Sequence, residues 1–145
     1  MNKSYVAIIL VLLVVLVAYL IMRKGSNIIN FSDSNVNKGS KEITDANYDS
    51  IVHKNKVVFV KVYTEWCGHC KNIASEWEAL AEAIHSSHSH VAIASINAET
   101  ESALAKKLGV HGYPTLLLIK NGKVMDKYNG QRNVSSMIAF IDGYA

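Results

Sequence analysis

The chain holds two cysteines, Cys67 and Cys70, set in the stretch Trp66-Cys67-Gly68-His69-Cys70-Lys71. A Cys-x-x-Cys pair placed where a strand pattern gives way to a helix pattern reads as a redox dithiol before anything else. The run Val57-Val58-Phe59-Val60-Lys61-Val62-Tyr63 is β-branched and aromatic with little alternation, which predicts a strand buried on both faces. From Ile73 onward the large apolar residues fall at Ile73, Trp77, Leu80 and Ile84, one face of an α-helix laid on that sheet. Cys67 therefore opens the helix, where unpaired backbone N–H groups and the positive end of the helix dipole favour a thiolate over a thiol. A protonated His69 would add a second positive neighbour. A stabilised thiolate is a better leaving group, so the Cys67–Cys70 disulfide is biased toward being reduced, and hence toward oxidising what it meets.

Other cysteine chemistry fits less well. Cys67-x2-Cys70-x14-His85-x4-His90 satisfies a loose Cys2His2 spacing. Residues 71–84 contain no Gly or Pro and read as continuous helix, which would put His85 about 20 Å from Cys70. Zinc needs its ligands within about 2.3 Å of one ion, so no metal site is expected. Lys71 rather than His follows Cys70, which excludes a haem attachment motif. The run from His85 to His90 reads as a helix end and a solvated loop.

Taken with Ile43-Thr44-Asp45-Ala46-Asn47-Tyr48, Gly112-Tyr113-Pro114-Thr115 and Tyr128-Asn129-Gly130-Gln131-Arg132, the Cys-Gly-His-Cys stretch resembles the catalytic domain of protein disulfide isomerases within the thioredoxin superfamily. The resemblance runs from residue 43 to the end. It implies an α/β thioredoxin fold, a central mixed sheet flanked by helices, needing no cofactor. It implies that Cys67 is the nucleophile, that Cys70 resolves stalled mixed disulfides, and that His69 stabilises the Cys67 thiolate. Trp66, Tyr113 and Pro114 would bind substrate, with the Tyr113–Pro114 bond cis. Arg132 matches an arginine that modulates the second cysteine.

The same resemblance exposes departures. Lys61 stands where the family carries a buried Asp or Glu that moves protons for the second cysteine, and Ser95 stands where that carboxylate's lysine partner is usual. A lysine in so apolar a strand either has a depressed pKa and works as a neutral base, or snorkels to the surface. Thr64-Glu65 replaces the usual Ala-Pro. Ser75 occupies the position of a helix-kinking proline, which predicts a straighter active-site helix.

The remaining chain supplies the setting. Residues 1–4 form a short tail, and residues 5–22 are uncharged, about 27 Å long as a helix. That run ends in Leu20-Ile21-Met22 followed by Arg23-Lys24, without the small-x-small exit of a cleaved signal, which predicts an uncleaved transmembrane anchor. Residues 23–42, rich in Asn, Ser, Gly and Lys, read as a flexible tether, and residues 43–145 as one thioredoxin-like domain. Expected elements are a helix capped by Thr44 or Asp45 and reaching Val52, the two buried strands 57–63 and 91–97 around the active-site helix, and a short helix over 101–108 stopped by Gly109. A hairpin over 115–120 and 123–128 turning at Asn121-Gly122, and a last helix capped by Asn133 with apolar face Val134, Met137, Ile138 and Ile141, complete the set.

The net charge is +3. Residues 44–145 carry ten basic and ten acidic side chains, so the excess belongs to the anchor and tether. The domain has no basic bias of the kind nucleic acid requires, whereas Arg23 and Lys24 suit lipid headgroups. The positions of Lys3, Arg23, Lys24, Lys38 and Lys41 tilt weakly toward a cytoplasmic C-terminus. The dithiol chemistry tilts more strongly toward an oxidising compartment, such as the endoplasmic reticulum or secretory lumen, the periplasm or the cell exterior. The expectation is a single-pass membrane protein that exchanges disulfides with protein substrates and is recharged by a redox partner. Two rivals are a membrane-tethered reductant, separated by its reduction potential, and a non-catalytic docking module, separated by the activity of a double Cys→Ser variant.

Overall fold

The computed structural model describes residues 12–17, 19 and 39–145, within two compact units, Met1–Val36 and Asn37–Ala145. In the first unit, residues 12–17 and 19 are helical and exposed. The rest of the anchor predicted over 5–22, and residues 23–38 of the predicted tether, lie outside the described residues. Among those described, no helix is long and apolar enough to cross a membrane.

In the second unit the elements run β1 (Lys41–Glu42), α1 (Tyr48–Lys54), β2 (Val57–Tyr63), α2 (Gly68–Asn72), α3 (Ala74–Ser87), β3 (Val91–Asn97), α4 (Ser102–Lys107), β4 (Thr115–Lys120), β5 (Lys123–Lys127) and α5 (Val134–Asp142). Five strands form one sheet in the order β1-β3-β2-β4-β5. β1 and β2 run parallel to β3, while β4 runs antiparallel to both β2 and β5, giving a mixed sheet. β2 and β3 are central, and their near-continuous apolar sequences follow from having both faces covered.

Alternation divides the core. Val58, Val60 and Val62 of β2 pack with Tyr48, Val52, Ala94, Ile96 and Leu104 on one face of the sheet. Val57 and Phe59 pack with Ile73, Trp77, Leu80, Ile84, Met137 and Ile141 on the other. The Phe59 ring centroid lies 5.2 Å from that of Trp77 and 5.8 Å from that of Phe140, so α3 and α5 meet over this strand. The β4–β5 hairpin turns at Asn121 (φ 52°) and Gly122 (φ 75°), the left-handed pair that a tight hairpin requires.

Several boundaries differ from expectation. Residues 41–42, assigned to the tether, form β1 by pairing with Ala94 and Ser95, so the domain begins before residue 43. Helix α1 starts at Tyr48 because the Asn47 side chain accepts the Thr44 N–H (2.9 Å) and donates to the Glu42 carbonyl (3.2 Å), holding 44–47 as a turn. The active-site helix is not straighter for lack of proline. It breaks at Ile73 (φ −92°, ψ −6°) between α2 and α3, in the sparsely populated bridge region. Ile73 is buried beside Trp77 and Leu80, and its carbonyl still accepts the Trp77 N–H at 2.9 Å. Core packing therefore holds the break where no donor is missing, and residues 71–84 are not the continuous helix used to separate His85 from Cys70. Among the described residues, no group of three His, Cys, Asp or Glu side chains is placed to hold a metal ion.

Candidate active site

The β2 strand delivers the dithiol to one end of the sheet. After Tyr63 the chain turns, with the Cys67 N–H bonded to the Thr64 carbonyl at 3.4 Å, and Cys67 becomes the N-cap of α2. Both cysteines are free thiols and both are largely covered. Their environments push them in opposite directions. The Cys67 thiol is lowered first by a hydrogen bond from the Cys70 side chain, then by the backbone N–H groups of Cys70 and His69 and by the charge of Arg132, against an opposing effect of burial. Burial pushes the Cys70 thiol up to about 11, helped by the same Cys67 contact, with the Thr64 backbone and Lys61 pulling the other way. A low-pKa thiol beside a high-pKa thiol separates an attacking or leaving group from a resolving one.

The opposite wall comes from the segment preceding β4. The Tyr113–Pro114 bond is cis, and the Tyr113 carbonyl accepts a hydrogen bond from Cys67 Sγ at 3.5 Å. Thr115 Oγ1 donates to the Gly112 carbonyl at 2.7 Å, closing the turn. Trp66 is 70% exposed, yet its ring meets that of Tyr113 edge-on at 6.2 Å. An apolar surface beside a reactive sulfur and an accessible backbone edge can hold an extended peptide.

Each remaining site residue has a definite place. His69 is exposed on α2 and reaches Cys67 through its backbone N–H. Arg132 is exposed in the loop before α5, and its charge lowers the Cys67 thiol. Lys61 does not snorkel. It is 7% exposed, with Nζ 5.1 Å from the Tyr63 ring centroid and 5.5 Å from that of Trp77, and burial lowers its pKa. Lys61 and Ser95 are direct partners across β2 and β3. Instead of a charge pair, Ser95 Oγ accepts from Trp77 Nε1 (3.1 Å) and donates to Ser40 Oγ (3.2 Å), which donates to Glu78 Oε1 (2.7 Å).

That hydroxyl chain was not readable from the sequence, because Ser40 falls in a polar segment that looks like tether. The Thr64 hydroxyl was also missed. It is buried without a hydrogen-bond partner among the described residues, and only its place between the strand and Cys67 hinted at a role.

The mixed sheet, the Cys-x-x-Cys pair opening a helix and the facing cis-proline segment define a thioredoxin-type domain. The Thioredoxin family profile matches residues 39–143, and the chain belongs to that family. Among its relatives, a probable protein disulfide-isomerase A4 of Caenorhabditis elegans is 38% identical over 99 residues, covering 68% of this chain and 16% of the relative. Protein disulfide-isomerase 1 of Dictyostelium discoideum is 38% identical over 101 residues, covering 68% of this chain and 28% of the relative. This chain thus spans well under a third of the length of these relatives. Among solved structures, the zinc-bound form of human ERp44 aligns with a TM-score of 0.70 and 26% identity, over 72% of this chain and 30% of that one. The first thioredoxin domain of mouse protein disulfide-isomerase A4 aligns with a TM-score of 0.67 and 35% identity, over 73% of this chain and 75% of that one.

Proposed function

We propose that this protein is a membrane-anchored thiol–disulfide oxidoreductase that forms and isomerises disulfides in protein substrates through Cys67 and Cys70. The observation that carries the reading is the geometry of the pair: Cys67 is the N-cap of α2 with the buried Cys70 one turn on, and Cys67 Sγ lies 3.5 Å from the Tyr113 carbonyl of the cis-proline segment.

In the oxidising direction a substrate thiolate attacks Cys67 of the Cys67–Cys70 disulfide. The new bond joins substrate sulfur to Cys67, and Cys70 leaves with the electron pair and takes a proton. A second substrate thiolate then attacks the substrate sulfur, forming the substrate disulfide and expelling Cys67 as the stabilised thiolate. The reduced pair is reoxidised by a disulfide-bearing redox partner. When the second substrate thiol does not arrive, Cys70 attacks Cys67 and expels the substrate, which is free to try another pairing. Trp66, Tyr113 and Pro114 hold the substrate segment across Cys67, and Arg132 and the His69 N–H support its negative charge.

Residues 5–22 anchor the protein in a lipid bilayer, residues 23–38 tether the domain, and the domain faces an oxidising compartment. This location supplies the disulfides on which the Cys67–Cys70 pair acts.

The test is recovery of activity by a substrate protein with scrambled disulfides, in a glutathione buffer, with the full chain. The expected result is catalysed recovery that Cys67→Ser abolishes and that Cys70→Ser converts into an accumulating mixed disulfide. Recovery at the parental rate by Cys67→Ser contradicts the proposal.

A further inference from the structure

The chain carries three Asn-x-Ser acceptor sequences for N-linked glycans, Asn2-Lys3-Ser4, Asn30-Phe31-Ser32 and Asn133-Val134-Ser135. The first two lie outside the described residues, and the third opens α5. Its loop is held at both ends. Tyr128 Oη donates to the Gln131 carbonyl at 2.6 Å, and the Val134 N–H donates to Glu76 Oε2 at 3.0 Å. Gln131, Arg132 and Ser135 are exposed, and Asn133 is half-buried.

The two ends of the Asn133 amide have separate duties. Its oxygen caps the helix, with Oδ1 accepting the Ser136 N–H and the Ser135 hydroxyl, both at 2.9 Å. A backbone N–H can only donate, so that contact fixes which end of the amide is the oxygen. The nitrogen meets only the exposed side chain of Gln131, whose Oε1 accepts from Nδ2 at 3.1 Å. An amide nitrogen of this kind carries two hydrogens. Replacing one of them by a sugar leaves the second for Gln131 and leaves Oδ1 untouched. The folded helix start therefore accommodates a glycan on Nδ2 while keeping its cap.

We infer that Asn133 is an N-glycosylation site, carrying an oligosaccharide on Nδ2. This rests on the oxidising compartment proposed above and narrows it to one that holds an oligosaccharyl transferase and its lipid-linked donor. In the transfer, Nδ2 attacks the anomeric carbon of an oligosaccharide carried on a polyprenyl diphosphate. The N–C bond forms, the C–O bond to the diphosphate breaks, and the lipid diphosphate leaves with the electron pair. The displaced Nδ2 proton passes to a base of the transferase. Arg132, the preceding residue, is close enough to Cys67 for its charge to lower that thiol, so the glycan sets a bulky, hydrated group at the edge of the dithiol site.

The test is peptide mass spectrometry of the full chain expressed in cultured eukaryotic cells. Its membranes are first treated with a peptide N-glycosidase in heavy-oxygen water, which converts a glycosylated Asn to isotope-labelled Asp. The expected result is label at position 133 on most chains. Ser135→Ala, which keeps the cap oxygen of Asn133, should lose that label, and Ser135→Thr, which keeps the acceptor hydroxyl, should retain it. An unlabelled Asn133 in the parent chain overturns the inference, and so does label that survives Ser135→Ala. Protease added to intact vesicles then separates two kinds of failure. A protected domain without label leaves the compartment reading standing and sinks the glycosylation site alone. A digested domain, or label at Asn2 in place of Asn133, sinks the compartment reading as well, because Asn2 precedes the apolar run at residues 5–22.

Discussion

Cys67 and Cys70 differ in what surrounds each sulfur. Cys67 collects a side-chain hydrogen bond, backbone N–H groups and the Arg132 charge, while Cys70 carries the burden of burial. The sequence placed Cys67 at a helix start and assigned its activation to the backbone N–H groups and dipole of that helix, with the His69 side chain as a further positive neighbour. Helix α2 has only five residues, so local N–H groups rather than a summed dipole carry the effect. A direct prediction separates the two. His69→Pro removes a backbone donor and should make the Cys67–Cys70 disulfide less oxidising by about 30 mV or more, a tenfold change in its equilibrium. His69→Ala keeps that donor and should move the potential far less, as measured against a glutathione couple. Equal shifts in both variants would return the effect to the imidazole. The Lys61 environment was only half legible, since its apolar strand signalled burial but nothing local to β2 indicated that Trp77 and Tyr63 would flank the amine.

Long periodic elements were readable because their own patterns determine them, as in β2, β3, α5 and the Asn121-Gly122 hairpin. Short ones were not. β1 has two residues and exists through its pairing with β3, and the break at Ile73 comes from packing in a run whose propensities favour helix. Both bear on the site, since β1 ends the segment carrying Ser40 and the break orients α2 over the sheet. Asn133 shows the reverse case, a cap visible in the sequence, with its side chain accepting the Ser136 N–H at 2.9 Å. It starts a helix that buries Met137 and Ile141 against Phe59. Asn133→Ala should cost about 1 kcal/mol and lower Tm by about 4–8 °C for a domain of this size, measured by thermal unfolding. An unchanged Tm would mean that the Glu76 carboxylate, which accepts the Val134 N–H at 3.0 Å, holds the helix start by itself.

At the scale of the whole molecule, a thioredoxin-type domain with balanced charge follows an apolar, basic-flanked N-terminus, and the two are proposed to serve one function at a membrane. The full chain should resist alkaline carbonate extraction from membranes, and its domain should survive protease until the vesicles are opened. Digestion in intact vesicles would place the dithiol on the reducing side and favour a reductant. The asymmetry of the two thiols underlies every step of the proposed exchange, and mass-spectrometric alkylation of the full chain across pH reads it most directly. Alkylation follows the thiolate fraction, so Cys67 should reach half its maximal rate at a lower pH than a free cysteine thiol measured alongside. Cys70 should rise only as the pH nears about 11. Two cysteines rising together, or Cys70 reacting first, would contradict the account.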